Sequence, residues 1–546
     1  MNNELLAELL YPNIKTLPAD IEARYPKRVL PEGAKVTRFA PSPTGFLHIG
    51  NLYGAFTDER LAHTTGGIFY LRIEDTDAKR TVPNGIAIII ETLAKLGVIF
   101  DEGAVIDGDN GAYGPYRQSE RAEIYQTFAK QLIREGKAYP CFCTEEELEA
   151  IREKQESEKL NPGYYGEFAI WRDAPIEKIQ EKLDNGEAFV LRFRSEGNIN
   201  NKLKFGDEIK GTIDVTENDI DHVILKSDGI PTYHFAHAVD DHLMGTTHVV
   251  RDESWLSTLP FHIQLFKALG FKMPKYCHTA QVLKLDNGNK RKISKRKDPE
   301  AALTYYHSQG YPVAAVREYL MTLLNSNFEE WRLANPNAPI EDFKFTTKKM
   351  SVSGSLFDLD KLNDVSKNVI SRMTAEEVYD LTLAWAKEND PEFASVLEAD
   401  KEYAVRILSI GRGGKKPRKD IALWSEVKNY MSFFYNGLFA PVDAVPKTFE
   451  KSDVSAILNA FAAAYDENDA QDVWFSKIKE IASANGFCPD MKLYKADPSA
   501  FKGSVADVSM FLRVAVTGRM NSPDLYEVMQ ILGRETVLAR IKAFAS

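Results

Sequence analysis

The sequence predicts an α/β protein built on a doubly wound parallel sheet, with an inserted α+β domain and an all-α C-terminal region. Residues 35–110 alternate strand-like and helix-like segments, and residues 221–300 do so again, as expected for two halves of one such sheet. The stretch between them mixes helical runs with a β-rich part. From about residue 301 onward the strand signals fade and helical periodicity dominates.

The length and composition agree with a large globular protein. At 546 residues the chain is too long for one hydrophobic core, so we expect three or more domains. No apolar run reaches membrane-spanning length, and residues 1–34 are too acidic for a secretory or transit peptide. The chain has only four cysteines, which favours a reducing compartment. We therefore expect a cytoplasmic protein that has no contact with membranes.

The charge distribution limits any interaction with nucleic acid. A formal net charge of −11 argues against indiscriminate binding, because phosphate affinity comes from displacing counterions with Lys and Arg. Positive charge is concentrated in residues 284–297 and 411–419, so an RNA contact has to be local. A basic run is more often an exposed linker. The aromatic residues that follow the second run could stack on bases, but we expect most of them in the core: Trp424, Tyr430, Phe433, Phe434 and Tyr435.

The first half of the sheet carries a possible anion site. A strand is predicted at residues 35–39, followed by a turn at residues 43–45 and a helix at residues 52–63. This order puts His48 near a helix N-terminus, where free N–H groups and the positive end of the helix dipole attract anions. Taken alone, such a segment is more often an ordinary turn.

The second half of the sheet ends in a tight cationic loop at residues 290–297, which includes Lys292 and Lys295. Flexible ammonium groups can follow charge as it shifts between phosphates. A lysine-rich loop by itself is usually a solvated surface, but the combination with the His48 segment is much rarer and indicates the two halves of an ATP-phosphate clamp.

The remaining elements follow in order. We predict helices at residues 121–136 and 145–159 and a strand at residues 189–193 inside the insert. In the C-terminal region we predict helices at residues 374–387, 451–465 and 522–545, each with Ser or Thr near its start.

The motifs resemble those of class I aminoacyl-tRNA synthetases, and among them bacterial-type glutamyl-tRNA synthetase. The resemblance rests on residues 48–51 and 292–296, which stand where that class has its two signatures, and on further matches at residues 66–77, 114–121, 226–234 and 239–251. Glutaminyl enzymes are similar but rank second. The resemblance implies a Rossmann-like catalytic domain and these boundaries: an N-terminal extension 1–34, catalytic halves 35–110 and 221–300, an acceptor-binding insert 111–220, a stem-contact region 301–370 and an anticodon-binding domain 371–546.

The resemblance also implies a two-step ligase reaction. Glutamate is activated by ATP with Mg²⁺ and then transferred to the 3′-terminal adenosine of tRNA(Glu), without a covalent enzyme intermediate. The implied catalytic residues are His48, Lys292, Ser294 and Lys295. The implied ATP-binding residues are Thr44, His48, Gly50, Asn51, Lys292, Ile293, Ser294, Lys295 and Arg296, and the implied glutamate-binding residues are Arg38, Ala40, Ser42, Glu74, Tyr233, His237 and Arg251.

Three departures from the family pattern affect the details. His237 stands where many relatives have Asn. Residues 252–254, just after Arg251, replace a stretch that is usually richer in glycine or in acidic residues. The third departure concerns metal. Cys141 and Cys143 resemble the start of the family's zinc-binding stretch, but Phe168 stands where the family has a third cysteine. Zinc needs four N, S or O ligands, so we expect no zinc and no other protein-bound metal.

The implied partners are L-glutamate, ATP and tRNA(Glu), bound by a monomer. Two alternatives stay open at this point. The enzyme could also charge tRNA(Gln), or the chain could be a non-catalytic paralogue that binds tRNA.

Overall fold

The computed structural model describes residues 2–77 and 79–546. Within them the chain forms two compact units: one comprises the chain up to Tyr306 together with Arg317–Asp358, and the other comprises His307–Val316 and Leu359–Ser546. The described strands are β1 (Val36–Phe39), β2 (Ile68–Leu71), β3 (Glu102–Val105), β4 (Gly108–Asn110), β5 (Ala138–Cys141), β6 (Val190–Phe193), β7 (Lys202–Asp207), β8 (Gly211–Thr216), β9 (Val223–Leu225), β10 (His248–Asp252), β11 (Lys275–Thr279), β12 (Val282–Asp286), β13 (Asn289–Lys292) and β14 (Ser355–Leu356).

The helices divide between the units in chain order. The first unit contains α1 (Asn3–Leu10), α2 (Pro18–Ala23), α3 (Ile49–His63), α4 (Gly85–Ala94), α5 (Ala122–Arg134), α6 (Glu145–Ser157), α7 (Ile176–Asp184), α8 (Tyr233–Leu243), α9 (Leu259–Leu269) and α12 (Phe328–Ala334). The chain passes between the units within α10 (Leu303–Gln309) and α11 (Val313–Leu324). The second unit contains α13 (Leu359–Arg372), α14 (Ala375–Asn389), α15 (Pro391–Ala399), α16 (Lys401–Ser409), α17 (Trp424–Met431), α18 (Lys451–Ala464), α19 (Gln471–Ala484), α20 (Met491–Ala496), α21 (Val505–Thr517) and α22 (Leu525–Ala545).

The central sheet of the first unit joins the two predicted halves. Strands β1, β2 and β3 run parallel, and β4 returns antiparallel to β3. Strands β10 and β11 form a second parallel pair. The backbone N–H of Thr247 donates to the carbonyl of Val36 at 2.9 Å, which brings the start of β10 beside the start of β1. All four residues of β1 are buried, as expected for a strand covered on both faces.

The insert between these halves forms its own antiparallel sheet in the order β5-β6-β9. Strands β7 and β8 form a separate hairpin, which packs against β11 and α9. Strand β9 lies just beyond the range 111–220 that the sequence suggested for the insert, because it pairs with β6 before the chain returns to the catalytic sheet. The predicted helices at residues 121–136 and 145–159 correspond to α5 and α6.

The regular elements among the described residues of the second unit are helices, and no strand is formed there, as the fading strand signals predict. Trp424, Phe433 and Phe434 are at most 5% exposed in its core, and Tyr430 and Tyr435 pack partly buried against the same cluster. The expectation that these aromatic residues are core is confirmed. The last helix contains a break at Gly533, where φ is 76°. No helix among the described residues is long and apolar enough to cross a bilayer.

Candidate active site

A cavity of about 480 Å³ lies at the carboxyl ends of β1, β10 and β11, the edge where parallel sheets of this kind bind ligands. Most of the candidate residues from the sequence line it: Arg38, Ala40, His48, Gly50, Asn51, Glu74, Tyr233, Arg251, Lys292, Ile293, Ser294 and Lys295. Four candidates are not part of the lining: Ser42, Thr44, His237 and Arg296.

His48 begins helix α3 as its N-cap. Its Nδ1 accepts a hydrogen bond from the backbone N–H of Gly50 at 3.0 Å, and the Asn51 Oδ1 accepts from the backbone N–H of His48 at 3.0 Å. Burial, together with Lys295 and Lys292, lowers the pKa of His48 to about 4, so the ring is neutral at working pH and carries its proton on Nε2. A Cβ at position 50 would lie 2.8 Å from the His48 ring. A side chain at this position would therefore displace His48, in addition to taking up room in the cavity.

The cationic segment is half strand and half loop. Residues 289–292 form β13, which pairs with β12, so only the residues from Ile293 onward form the loop. Asp298 holds that loop: it accepts two bonds from Arg291 at 2.7 and 2.8 Å and one from the backbone N–H of Ser294 at 2.9 Å. The Lys295 ammonium donates to the carbonyl of Phe46, so the loop contacts the segment that leads into α3.

Arg38 lies in a buried cluster of charges at the deep end of the cavity. Its Nε is 3.3 Å from both carboxylate oxygens of Asp241, and Arg72 donates to the same carboxylate. Burial alone would raise the pKa of Asp241, but the two guanidinium groups and His237 hold it well below its usual range. His237 Nδ1 lies 2.7 Å from Asp241 and its Nε2 is 2.8 Å from the Tyr276 hydroxyl, so this histidine supports the cluster from behind.

Glu74 follows β2 and accepts a hydrogen bond from Arg72 at 3.2 Å. The pair is not a surface salt bridge, because the side chains are only 0% and 10% exposed. Burial raises the pKa of Glu74 to about 7, although Arg72 and Arg38 work against the shift. A carboxyl with such a pKa can take up or release a proton when a charged ligand enters the cavity.

Arg251, at the end of β10, is held by neutral groups. Its Nε donates to His278 Nε2 at 2.9 Å, its Nη1 lies 3.0 Å from His262 Nδ1, and its guanidinium stands 4.6 Å from the centre of the Tyr276 ring. Burial lowers the pKa of both histidines, so they remain neutral. Within the described part of the chain, the positive charge of Arg251 is therefore not cancelled by a direct carboxylate partner, unlike that of Arg38.

The tautomer of His278 is set by a carboxylate behind it. Asp207 Oδ2 lies 2.7 Å from His278 Nδ1, which puts the ring proton there and leaves Nε2 to accept from Arg251. The same carboxylate accepts from the backbone N–H groups of Ile209 and Lys210.

The sequence reasoning missed part of the wall. Trp255 stands against the Tyr233 ring with the centroids 4.4 Å apart, and Tyr53, Gly54 and Asp58 continue the lining along α3. Helical spacing from Gly50 could have found the α3 residues, because positions four apart share a face. The other residues that were missed are Phe39, Val250, Asp252, Ser254, Thr279, Ala280, Val282 and Ala301.

The segment with the two neighbouring cysteines lies in the insert. Cys141 is buried, the Cys143 Sγ is 3.5 Å from the Tyr164 hydroxyl, and Phe168 is buried. Among residues 2–77 and 79–546 there is no group of three or more His, Cys, Asp or Glu side chains that could hold a metal ion.

Two family models match the chain. The model of the catalytic domain of class I tRNA synthetases (E and Q) covers residues 35–364, and the model of an anticodon-binding domain covers residues 498–545. The first match includes the whole cavity described above.

Several relatives extend the match to the full length. A glutamate–tRNA ligase of Acetivibrio thermocellus is 53% identical over 543 residues, which cover 99% of this chain and 100% of the relative, and one of Clostridium perfringens (strain SM101) is 51% identical over 551 residues, covering 100% of both. The crystal structure of a glutamate tRNA ligase from Elizabethkingia meningosepticum in complex with its amino acid superimposes with a TM-score of 0.72 at 26% identity, over 94% of this chain and 99% of that one. The resemblance to bacterial-type glutamyl-tRNA synthetases is confirmed, and the chain belongs to the class I tRNA synthetases of the E and Q family.

Proposed function

We propose that this chain is a glutamate–tRNA ligase, which activates L-glutamate with ATP and transfers the glutamyl group to the 3′-terminal adenosine of tRNA(Glu). One observation carries the proposal: a single cavity combines a phosphate clamp with a set of charges that matches glutamate. His48, Lys292 and Lys295 form the first part, and Arg38, Arg251 and Glu74 form the second.

The charges at the deep end suit an amino acid with two carboxylates and one ammonium group. Arg38 and Arg72 both pair with Asp241, and Arg72 also bonds to Glu74, so one positive charge is left over for the side-chain carboxylate while Glu74 is neutral. Arg251 is available for the α-carboxylate because its partners are neutral. Glu74, once ionised, accepts the ammonium group.

The first step joins the α-carboxylate to the α-phosphorus of ATP, with pyrophosphate as the leaving group. A neutral His48 can donate from Nε2 to a phosphate oxygen, and the lysines at positions 292 and 295 can stabilise the negative charge that moves onto pyrophosphate. In the second step the terminal ribose hydroxyl attacks the carbonyl carbon and AMP leaves. Alignment and charge stabilisation suffice for both steps.

Mg²⁺ supplies further charge neutralisation to the phosphates when it arrives with ATP. We do not assign it a protein ligand. We also propose that the protein contains no structural zinc: Cys141 and Cys143 supply at most two thiolates, and Phe168 offers no lone pair. Elemental analysis tests the absence of zinc: about one zinc per chain that survives dialysis against a weak chelator would contradict the proposal. We also expect Cys143→Ser to leave charging nearly unchanged.

We propose that the chain acts as a monomer in the cytoplasm and that the helical unit contacts the anticodon region of the tRNA. The match of residues 498–545 to an anticodon-binding model supports the second part. The basic run at residues 411–419 gives this unit a local positive patch on an otherwise acidic chain.

Two assays test the proposed function. ATP–pyrophosphate exchange with glutamate and tRNA present should be robust, and it should be absent if the chain were a non-catalytic paralogue. Aminoacylation of purified tRNA(Glu) and tRNA(Gln) then decides between an enzyme that charges one and an enzyme that charges both.

A further inference from the structure

Asp58 is a buried carboxyl on the wall of the cavity that the reaction described above does not use. It belongs to α3, and it follows Gly50 and Gly54 at intervals of four residues, so all three share one face of the helix. A Cβ at Gly54 would meet no atom within 4 Å, so open space extends along this face. The Asp58 side chain is the last polar group on that path.

The carboxyl of Asp58 lacks an internal partner. The residue is 1% exposed, and its Oδ1 is buried with no hydrogen-bond partner in the described part of the chain. Its backbone carbonyl is satisfied, since it accepts from the Thr37 hydroxyl at 2.8 Å. Buried polar atoms nearly always have a partner, so Oδ1 is an exception, and a ligand can bond to this carboxyl only where the residue lines the cavity.

The groups that face Asp58 come from three other elements. Arg38 lies on β1, Asp241 on α8 and Cys277 on β11, and burial raises the pKa of the Cys277 thiol, so this thiol stays neutral. On its own helix the charged neighbours Glu59 and Arg60 pair with each other at 3.5 Å. Burial, and to a lesser degree Asp241, raise the pKa of Asp58 well above its usual range against the attraction of Arg38.

We propose that Asp58 is a substrate-binding residue that donates a hydrogen bond from its neutral carboxyl to the side-chain carboxylate of glutamate, beside Arg38. The inference rests on the proposed function, because it assigns a further contact within the same site. An ionised Asp58 would place a second carboxylate near Arg38, whose charge already acts on Asp241, and it would repel the carboxylate of the substrate. A carboxylic acid kept neutral by its surroundings acts instead as a donor.

This arrangement favours a carboxylate over a carboxamide in the substrate. Arg38 and the neutral Asp58 offer donors from two elements, β1 and α3. The carboxylate of glutamate has two acceptor oxygens for these two donors. The carboxamide of glutamine has only one acceptor oxygen, and its NH₂ group would point a third donor at Arg38 or Asp58. Asp58 therefore adds to the discrimination between the two amino acids.

Two substitutions of similar shape test the proposal in the full-length protein. Asp58→Asn keeps a donor that cannot ionise, and Asp58→Leu removes the polar group and keeps the branch at Cγ in a larger side chain. Steady-state pyrophosphate exchange with tRNA present gives the KM for glutamate, the KM for ATP and kcat. Asp173→Asn is the matched control, because this carboxyl is 82% exposed and lies outside the cavity.

We expect Asp58→Leu to raise the KM for glutamate about tenfold or more, as for loss of a hydrogen bond to a charged group, with the KM for ATP and kcat nearly unchanged. We expect Asp58→Asn to stay within about threefold of wild type. The thermal unfolding midpoint of Asp58→Leu should equal or exceed that of wild type, because an unpartnered buried group is replaced by an apolar one.

Two results would overturn the inference: an unchanged KM for glutamate in Asp58→Leu, or a KM in Asp58→Asn as high as that in Asp58→Leu. Each would occur in an enzyme whose wild type is active. Failure of the proposed function looks different, since the wild-type protein itself would then show no glutamate-dependent exchange.

Discussion

Two buried arginines in the same cavity have opposite electrostatic settings. Arg38 is paired with Asp241. Burial works to lower the pKa of Arg38, but Asp241 and weaker neighbouring groups together raise it. Arg251 is oriented by the nitrogens of His262 and His278 and keeps an uncompensated charge. Arg38 therefore stabilises the buried cluster in addition to its proposed contact with substrate, whereas the setting of Arg251 favours binding of an anion.

Lys295 is the residue whose loss should affect chemistry most directly. We expect Lys295→Ala to fold normally and to raise the barrier for adenylate formation by about 2–4 kcal/mol, as for removal of one preorganised charge-stabilising group. Pyrophosphate exchange measures the effect. Lys297→Ala is the control, because Lys297 is exposed and does not line the cavity. A folded Lys295→Ala protein with normal exchange would show that the clamp is assigned wrongly.

Glu74 should make glutamate use depend on pH. Its raised pKa of about 7 means that the carboxyl is neutral below this value and ionised above it, and only the ionised form attracts the substrate ammonium. We expect kcat/KM for glutamate to rise from pH 6 to pH 8 and then level off. In Glu74→Gln the rise should disappear and kcat/KM at pH 8 should fall about tenfold. A profile that is the same in both proteins would contradict this role.

At the scale of elements, the hairpin of β12 and β13 presents the cationic loop. Arg291 on β13 bridges two carboxylates, Asp286 in the hairpin and Asp298 beyond the loop. Asp298 is buried, and its hydrogen bonds from Arg291 hold its pKa below the ordinary value. The loop is thus anchored at one point while its lysines stay exposed.

Asp298→Asn should loosen this anchor without removing any group that contacts phosphate. We expect the exchange rate to fall about tenfold, because Asn has a single uncharged acceptor oxygen where both carboxylate oxygens accept from Arg291 and one also accepts from the backbone N–H of Ser294. Asp286→Asn is a matched control: it also accepts from Arg291, at 2.7 Å, but it is 42% exposed and holds no part of the loop. Equal effects of the two substitutions would mean that the loop does not depend on Asp298.

At the scale of the whole chain, residues 2–34 are part of the first unit. Helix α1 packs on α5, where the Lys130 ammonium donates to the carbonyls of Tyr11 and Ile14 at 2.9 and 2.7 Å. Arg28 forms a two-point contact with Glu102 on β3, at 2.9 and 2.8 Å, over the ring of Tyr113. The extension therefore connects the insert to the edge of the catalytic sheet.

Arg28→Ala should lower the stability of the first unit by about 3 kcal/mol, because it leaves a mostly buried carboxylate without its cation. The thermal unfolding midpoint, followed by circular dichroism, should fall by several degrees. Arg24→Ala is the control, since Arg24 is exposed on the same segment. A midpoint equal to that of wild type would show that the extension contributes nothing to folding.

The fold and the two halves of the clamp could be predicted from the sequence because their signals are local. Each signal lies within about twenty residues of sequence: the period of the hydrophobic residues, the turn before α3 and the lysines after β12. The helix predicted at residues 374–387 is Ala375–Asn389, with Thr374 as its N-cap. Here the Thr374 side chain and Glu377 exchange hydrogen bonds, a signal contained in four residues.

Other features depend on residues far apart in the chain. Whether Glu74 is a surface ion pair or a buried carboxyl with a pKa of about 7 depends on how tightly β1, β2 and α8 pack around it. The same holds for the neutral histidines beside Arg251, which come from α9 and β11, and for the unpartnered carboxyl of Asp58.

The sequence by itself determined the fold class, the family and the residue types of the clamp, since these follow from local periodicity and from motifs read along the chain. Packing between distant segments decides which charges are cancelled: Arg38 and Arg72 share Asp241, whereas Arg251 has no carboxylate partner among the described residues. The physical reason is that the strength of a charge and the pKa of an acid depend on burial and on partners within a few ångströms, and those are set by packing rather than by position in the sequence.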